Sequence, residues 1–189
     1  PQGAANLASL SNKNGVTALL VGAYSLLDGV GSGNVGRTST SSNYVFGGIT
    51  SGDAVKGTDA GDQPEQTYIE QFNWLSDNSY FLGKWWGMYD GVARANEAML
   101  LAQSADVKDM TDAEKAQVVA EAKFLRGHFH FEAKKMWNKV PYISETVYKR
   151  EDPNSTKIPN TADIWANIEK DFSDAAAVLP ATQSQKGRA

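Results

Sequence analysis

Two histidines, a group of loop carboxylates and a set of tryptophans have the greatest capacity for chemistry. His128 and His130 lie two residues apart. On a helix they point about 200° away from each other, so they cannot chelate one metal ion as an i, i+4 pair can. His128 and Glu132 do have the i, i+4 spacing, but two ligands of mixed type do not define a metal site. Asp53, Asp59, Asp62 and Glu65 are hard oxygen donors of the kind that hold calcium. Their spacing does not fit an EF-hand loop, and they read as a solvated acidic loop. There is no cysteine, no HExxH pair and no serine elbow. The chain therefore reads as a non-enzymatic protein that needs no cofactor.

The aromatic residues carry more information. Trp74, Trp85, Trp86, Trp137 and Trp165 are many tryptophans for 189 residues. An aromatic face takes up the apolar face of a sugar ring by contact and desolvation, while amides and carboxylates read its hydroxyls. Trp137, Trp165 and one of Trp85 and Trp86 fall on helical patterns and suit a core. Two adjacent tryptophans cannot both face inward on one helix, so the other of that pair lies near solvent or under a loop. Trp74 precedes a helix, in a stretch that also holds Asn73, Asp77, Asn78 and Tyr80. Aromatic, amide and carboxylate on one loop is the composition of a glycan platform. The alternative is that Trp74 plugs its loop onto the helices. The candidate ligand-contacting residues are Trp74, Asn73, Asp77, Asn78 and Tyr80.

Amphipathic helices must position these residues. Between Ala120 and Ile143 the sequence reads AEAKFLRGHFHFEAKKMWNKVPYI. Val118, Ala122, Leu125, Phe129, Ala133 and Met136 recur at steps of three and four, which makes one apolar stripe. Lys123, Glu132, Lys134 and Lys135 lie mostly off that stripe and are expected at the surface. Glu121 and Arg126 read as packing and helix-surface charges. Thr111 to Glu114 is a capping box that starts this helix, and Pro141 should end it near Asn138.

A first helix is expected over about Asn14 to Asp28, with Leu19, Leu20, Ala23, Tyr24 and Leu27 inward and Gly29 as its stop. A second runs from about Tyr80 to Gln103, with Trp85, Tyr89, Val92, Asn96, Met99 and Gln103 on one face. Asn96 sits inside that stripe and needs a partner, expected to be loop backbone. A fourth helix follows Pro159 to Thr161. It carries Asp163 in its first turn and a stripe of Ile164, Ile168, Phe172, Ala175 and Leu179, and it stops at Pro180. From Gly29 to Thr67 no helical period survives, and Tyr44 to Phe46 reads as a short extended piece. A long loop of this kind in a compact domain is functional or mobile. Asn154 to Thr156 matches a glycosylation sequon.

The bulk properties exclude some classes. The apolar fraction is 41%, the charged fraction 21% and the net charge −4, an ordinary globular composition that argues against binding the phosphates of nucleic acid. No apolar run approaches the roughly 20 residues that cross a bilayer. The length suits one domain.

The chain resembles the SusD/RagB family of outer-membrane nutrient-binding lipoproteins. Ala120, Glu121, Ala122, Phe124, Leu125, Arg126, Phe131, Val140 and Pro141 match the family's central helix and its exit. Lys123 replaces the usual arginine, and Trp137 to Lys139 replaces the usual Phe-Gly. Gly15 to Tyr24 resembles the family's first helix. Trp85 to Tyr89 with Asn96 resembles its second, and Ile164 to Asp171 with Leu179-Pro180 resembles its fourth. Thr50 to Asp53 resembles a family turn. The resemblance covers most of the chain, in order.

It implies an all-α fold of tetratricopeptide-like antiparallel helix pairs, with a long loop insertion at about 29–80 between helices one and two. Residues 1–189 would be a single N-terminal SusD-like helical domain, a fragment of a longer protein. The precursor would carry a lipid anchor on a cysteine that this chain lacks. The implied function is capture of an oligosaccharide or polysaccharide for a SusC-like TonB-dependent transporter at the cell surface. The alternatives are a peptide-binding member of the family, or a helical-repeat scaffold for protein partners without a small ligand.

Overall fold

A computed structural model describes residues 7–27, 43–59, 61–104, 106–152, 157–183 and 185–188. The expected stop at Gly29 and the sequon at Asn154 lie outside the described residues. In chain order the helices are α1 (Leu7–Leu10), α2 (Lys13–Tyr24), α3 (Asn43–Phe46), α4 (Gly48–Ser51), α5 (Pro64–Glu70), α6 (Ser79–Gln103), α7 (Asp112–Trp137) and α8 (Trp165–Ala176). The described residues are all-α, as expected. The chain divides into two compact units, Pro1–Tyr24 with Tyr89–Ala189, and Ser25–Met88. Helix α6 gives its first turns to the second unit and the rest to the first.

In the larger unit, α7 starts at the expected capping box. The Thr111 hydroxyl accepts from the Glu114 amide at 3.2 Å, and the Glu114 carboxylate accepts from the Thr111 amide at 2.8 Å. Two free amides of the first turn are satisfied in this way. The helix ends at Asn138, three residues before Pro141. Val118, Ala122, Leu125, Phe129 and Ala133 are buried, as their spacing predicts. Helices α7 and α8 are antiparallel: Lys123 pairs with Asp174, and Phe131 meets Trp165. Gly127 lets the two helices approach, since a Cβ there would lie 3.1 Å from that of Asp171. Gly91 does the same for α6, where a Cβ would lie 2.5 Å from the Phe129 ring.

Several local expectations are corrected. Helix α2 ends at Tyr24 and a 3-10 turn carries the chain to Leu27, so Val16, Leu20, Ala23 and Leu26 form the buried set. Leu19, Tyr24 and Leu27 are only half-buried. Gln103 is exposed at the frayed end of α6. Tyr44 to Phe46 is a helical turn and not an extended piece. The stretch from 43 to 70 holds three short helices, α3, α4 and α5, too brief to show a full hydrophobic period. Asp163 precedes α8, where it accepts from the Trp165 amide at 3.0 Å, and α8 ends at Ala176, before Pro180. Lys134 is buried: its ammonium reaches Asn138 at 3.0 Å and lies 5.6 Å from the centre of the Trp165 ring.

The largest correction concerns Arg126 and Glu121, which are buried charges and not surface ones. The Arg126 guanidinium grips Asp171 of α8 through two bonds of 2.9 and 2.6 Å. It also donates to Asn96 of α6 at 3.0 Å and to Glu145. Burial alone would make this guanidinium easier to deprotonate, but the hydrogen bonds and charge of Asp171 hold its pKa above the ordinary value. Tyr142 adds a hydroxyl bond to Asp171 at 2.9 Å. Glu121 accepts from the Tyr24 hydroxyl and from Arg188, both at 2.9 Å.

The segment after Pro141 is pinned by the same network. Asn96 donates to the Ile143 carbonyl at 3.0 Å, the loop-backbone bond its position predicts, and Tyr89 donates to the Pro141 carbonyl at 2.8 Å. The Ile143 amide donates to Nε2 of His130 at 3.1 Å, so the proton sits on Nδ1 and faces the Arg126 carbonyl at 3.1 Å. Burial, then the Arg126 charge, push the His130 pKa from 6.5 down to about 3.

Arg126→Met should strand the Asp171 carboxylate in the core and cost about 3–5 kcal/mol by urea unfolding. Adding Asp171→Leu should restore part of that loss. His130 gives a pH signature. Above pH 6.5 it is neutral in both states; below, the unfolded chain takes up a proton that the folded chain holds off until about pH 3. Stability should therefore fall as the pH is lowered across that window, by up to about 1.4 kcal/mol per unit. The slope should be shallower in His130→Gln.

Candidate functional site

The smaller unit is organised by polar side chains around a modest apolar cluster of Val45, Ile69 and Tyr80, with Phe46 and Phe81 packed against it. Pro64 at the first position of α5 lacks only an amide that the helix would leave unpaired. Glu65 then reaches the start of α6, where its carboxylate accepts from the Ser79 amide at 2.9 Å and from the Ser79 hydroxyl.

Asn78 and Tyr80 belong to this frame. The Asn78 side chain accepts from the Tyr80 amide at 3.0 Å and donates to the Glu65 carbonyl at 3.1 Å. The Tyr80 hydroxyl donates to Gln63 at 2.6 Å and accepts from Gln66 at 2.8 Å. Both residues are buried, 3% and 4% exposed, so they position the loop and do not present a surface. Asn73, Trp74 and Asp77, the other three predicted site residues, are exposed together on the segment between α5 and α6.

Trp74 is held at its edges. Its ring centre lies 5.4 Å from that of Phe81, edge-on, and 5.9 Å from that of Phe72. It nonetheless remains 42% exposed, Phe72 65% and Leu75 69%. Phe72 was not visible as a site residue, and its backbone explains its position. The Asn73 amide bonds back to the Tyr68 carbonyl at 2.8 Å, and the Phe72 amide to that of Ile69 at 3.1 Å. This is the helix-ending motif that usually places glycine at the left-handed position. Phe72 occupies it at φ +55°, a conformation that costs a side-chain-bearing residue roughly 1–2 kcal/mol. A strained, solvent-facing aromatic beside an exposed tryptophan is an arrangement that stability alone does not select. Trp86 is also exposed and its neighbour Trp85 is half-buried, so the pair divides as adjacency on a helix requires.

The acidic loop residues are engaged locally. Asp53 accepts from the Ser51 hydroxyl at 2.9 Å, and Asp59 accepts from the Gly61 amide at 2.8 Å. Among the described residues no three carboxylates or histidines converge as a metal site would require. Both nitrogens of His130 are committed to backbone.

The fold and this cluster set the class: an all-α protein whose exposed aromatic residues sit on a loop braced by polar side chains. A comparison with family profiles matches residues 12–188 to a SusD-like family described as starch-binding associating with outer membrane. The chain belongs to this family, and its helix pairs are tetratricopeptide-like. Among solved structures it is similar to surface glycan-binding protein A from Bacteroides fluxus, with TM-score 0.70 and 24% identity, over 93% of this chain and 36% of that one. It is also similar to surface glycan-binding protein A from Bacteroides thetaiotaomicron, with TM-score 0.69 and 20% identity, over 95% of this chain and 36% of that one. The chain thus spans about a third of the length of these solved relatives. A comparison with curated proteins gives no match.

Replacing Phe72 separates backbone strain from ring contacts. Both Phe72→Gly and Phe72→Ala remove the ring, but only glycine relieves the left-handed position. The glycine variant should be more stable than the alanine variant by about 1 kcal/mol in thermal or denaturant unfolding.

Proposed function

We propose that this chain is the N-terminal helical part of a cell-surface glycan-binding protein. It captures oligosaccharide or polysaccharide for a SusC-like TonB-dependent transporter. Trp74 and Phe72 supply apolar faces against which sugar rings stack. Asn73 and Asp77 read hydroxyls at the edge of that platform, and Asn78 and Tyr80 hold the loop in place from below. Capture needs no covalent step, no cofactor and no metal. The protein would sit at the outer membrane through a lipid anchor.

The observation that carries this reading is the exposed Trp74–Phe72 pair, held out by a braced loop at a cost in backbone strain. Membership of a family described as starch-binding supports it, as does the likeness in fold to proteins named for surface glycan binding.

Calorimetric titration with an oligosaccharide panel, with a peptide pool as control, tests it. Saturable sugar binding is expected, weakened by about two- to tenfold in Trp74→Ala, since stacking against one aromatic face is worth on the order of 0.5–1.5 kcal/mol. Circular dichroism should show the variant folded. Sugar binding unchanged in the variant would remove Trp74 from the site, and binding confined to the peptide pool would overturn the glycan reading.

A further inference from the structure

A pocket of about 350 Å³ opens beside α5, lined by Val55, Lys56, Gly57, Thr58, Thr67 and Glu70. It lies wholly within the Ser25–Met88 unit and shares no residue with the Trp74 cluster. Its volume is at the low end of the range of about 300–1,000 Å³ for small-ligand sites, room for one or two sugar rings.

The lining is built for a particular chemistry. Thr67 and Glu70 are three residues apart on α5, so their side chains share a face. The Thr67 hydroxyl is buried without a hydrogen-bond partner, a state that folded proteins avoid unless a ligand or water completes it. Lys56 is fixed by donating to the Asp59 carbonyl at 2.7 Å and to that of Asp62, which leaves one of its three protons for a ligand. Glu70 is drawn into none of the described ion pairs. Val55, 68% exposed, supplies an apolar wall.

The charges of Lys56 and Glu70 cancel. An anion would meet the Glu70 carboxylate, and a cation would meet the Lys56 ammonium. A neutral polyol satisfies all of the groups. Two adjacent hydroxyls donate to the two carboxylate oxygens, and other sugar oxygens accept from Lys56 and the threonine hydroxyls.

We propose that this pocket is a second sugar subsite, which takes one uncharged hexose or pentose residue through its vicinal hydroxyls. The proposal rests on the glycan-binding reading and adds to it selection for neutral sugars.

The test titrates the chain with three hexasaccharide probes, made of neutral hexoses, of uronic acids and of amino sugars. Calorimetry gives affinity, and methyl NMR of Val55 and Thr67 gives location. The neutral probe should bind best and shift both methyl signals saturably. Glu70→Gln, which keeps shape and loses charge, should weaken it about tenfold, as loss of a charge-assisted hydrogen bond does. Thr67→Val should weaken it less. Unchanged affinity in both variants with the Val55 methyl unmoved would overturn the subsite, while loss of binding in Trp74→Ala alone would leave the platform standing. Preference for the uronic or amino probe would overturn the selection for neutral sugars. No binding of any probe to the unmodified chain would overturn the glycan reading itself.

Discussion

Arg126 is a permanent charge taken out of water, and the larger unit is arranged around that fact. Removing such an ion from solvent costs several kcal/mol unless its donors are all answered. Asp171 answers two of them in the planar fork that suits a guanidinium. Asn96 and Glu145 answer more. These partners come from α8, α6 and the segment after Pro141, so one side chain fixes the register of three pieces of chain. The constraint then spreads. The bonds of Asn96 and His130 to Ile143 hold the exit segment against α6 and α7, and the Ile143 amide leaves His130 a single uncharged tautomer.

The smaller unit follows a different rule. Its apolar cluster is slight, and side chains tie its short helices end to end. Glu65, Gln66, Asn78 and Tyr80 spend their polar groups on each other and on helix termini. That frame leaves Phe72 largely in solvent and one side of Trp74 open, while the other edge of Trp74 rests on Phe81. Support and display are thus divided between neighbouring residues of one short segment, with Asn78 and Tyr80 below and Asn73, Trp74 and Asp77 outside.

What could be read from the sequence was what is local. The capping box at Thr111, the stripe of α7 and the exit before Pro141 depend on residues within a few positions of one another. The Arg126–Asp171 pair spans forty-five positions, and no spacing rule announces it, so Arg126 passed for an ordinary helix charge. Helices α3, α4 and α5 are shorter than two turns and are held by contacts such as that of Gln66 with Tyr44, so composition alone suggested a loop. The exposure of Trp74, Asn73 and Asp77 follows from their place in a polar connector. The burial of Asn78 and Tyr80 does not, because Glu65 and Gln63 reach them from across the turn. Phe72 was hidden for another reason. A left-handed helix end is read from glycine, and here an aromatic residue takes its place.

The indole N–H signals measure the central claim most directly. The chain has five tryptophans, and Trp74→Phe assigns one of the five resonances. Titration with a neutral-hexose hexasaccharide should move the Trp74 signal saturably, with a midpoint that matches calorimetry. A Trp74 signal that does not move while the sugar binds would place the ligand elsewhere and contradict the account.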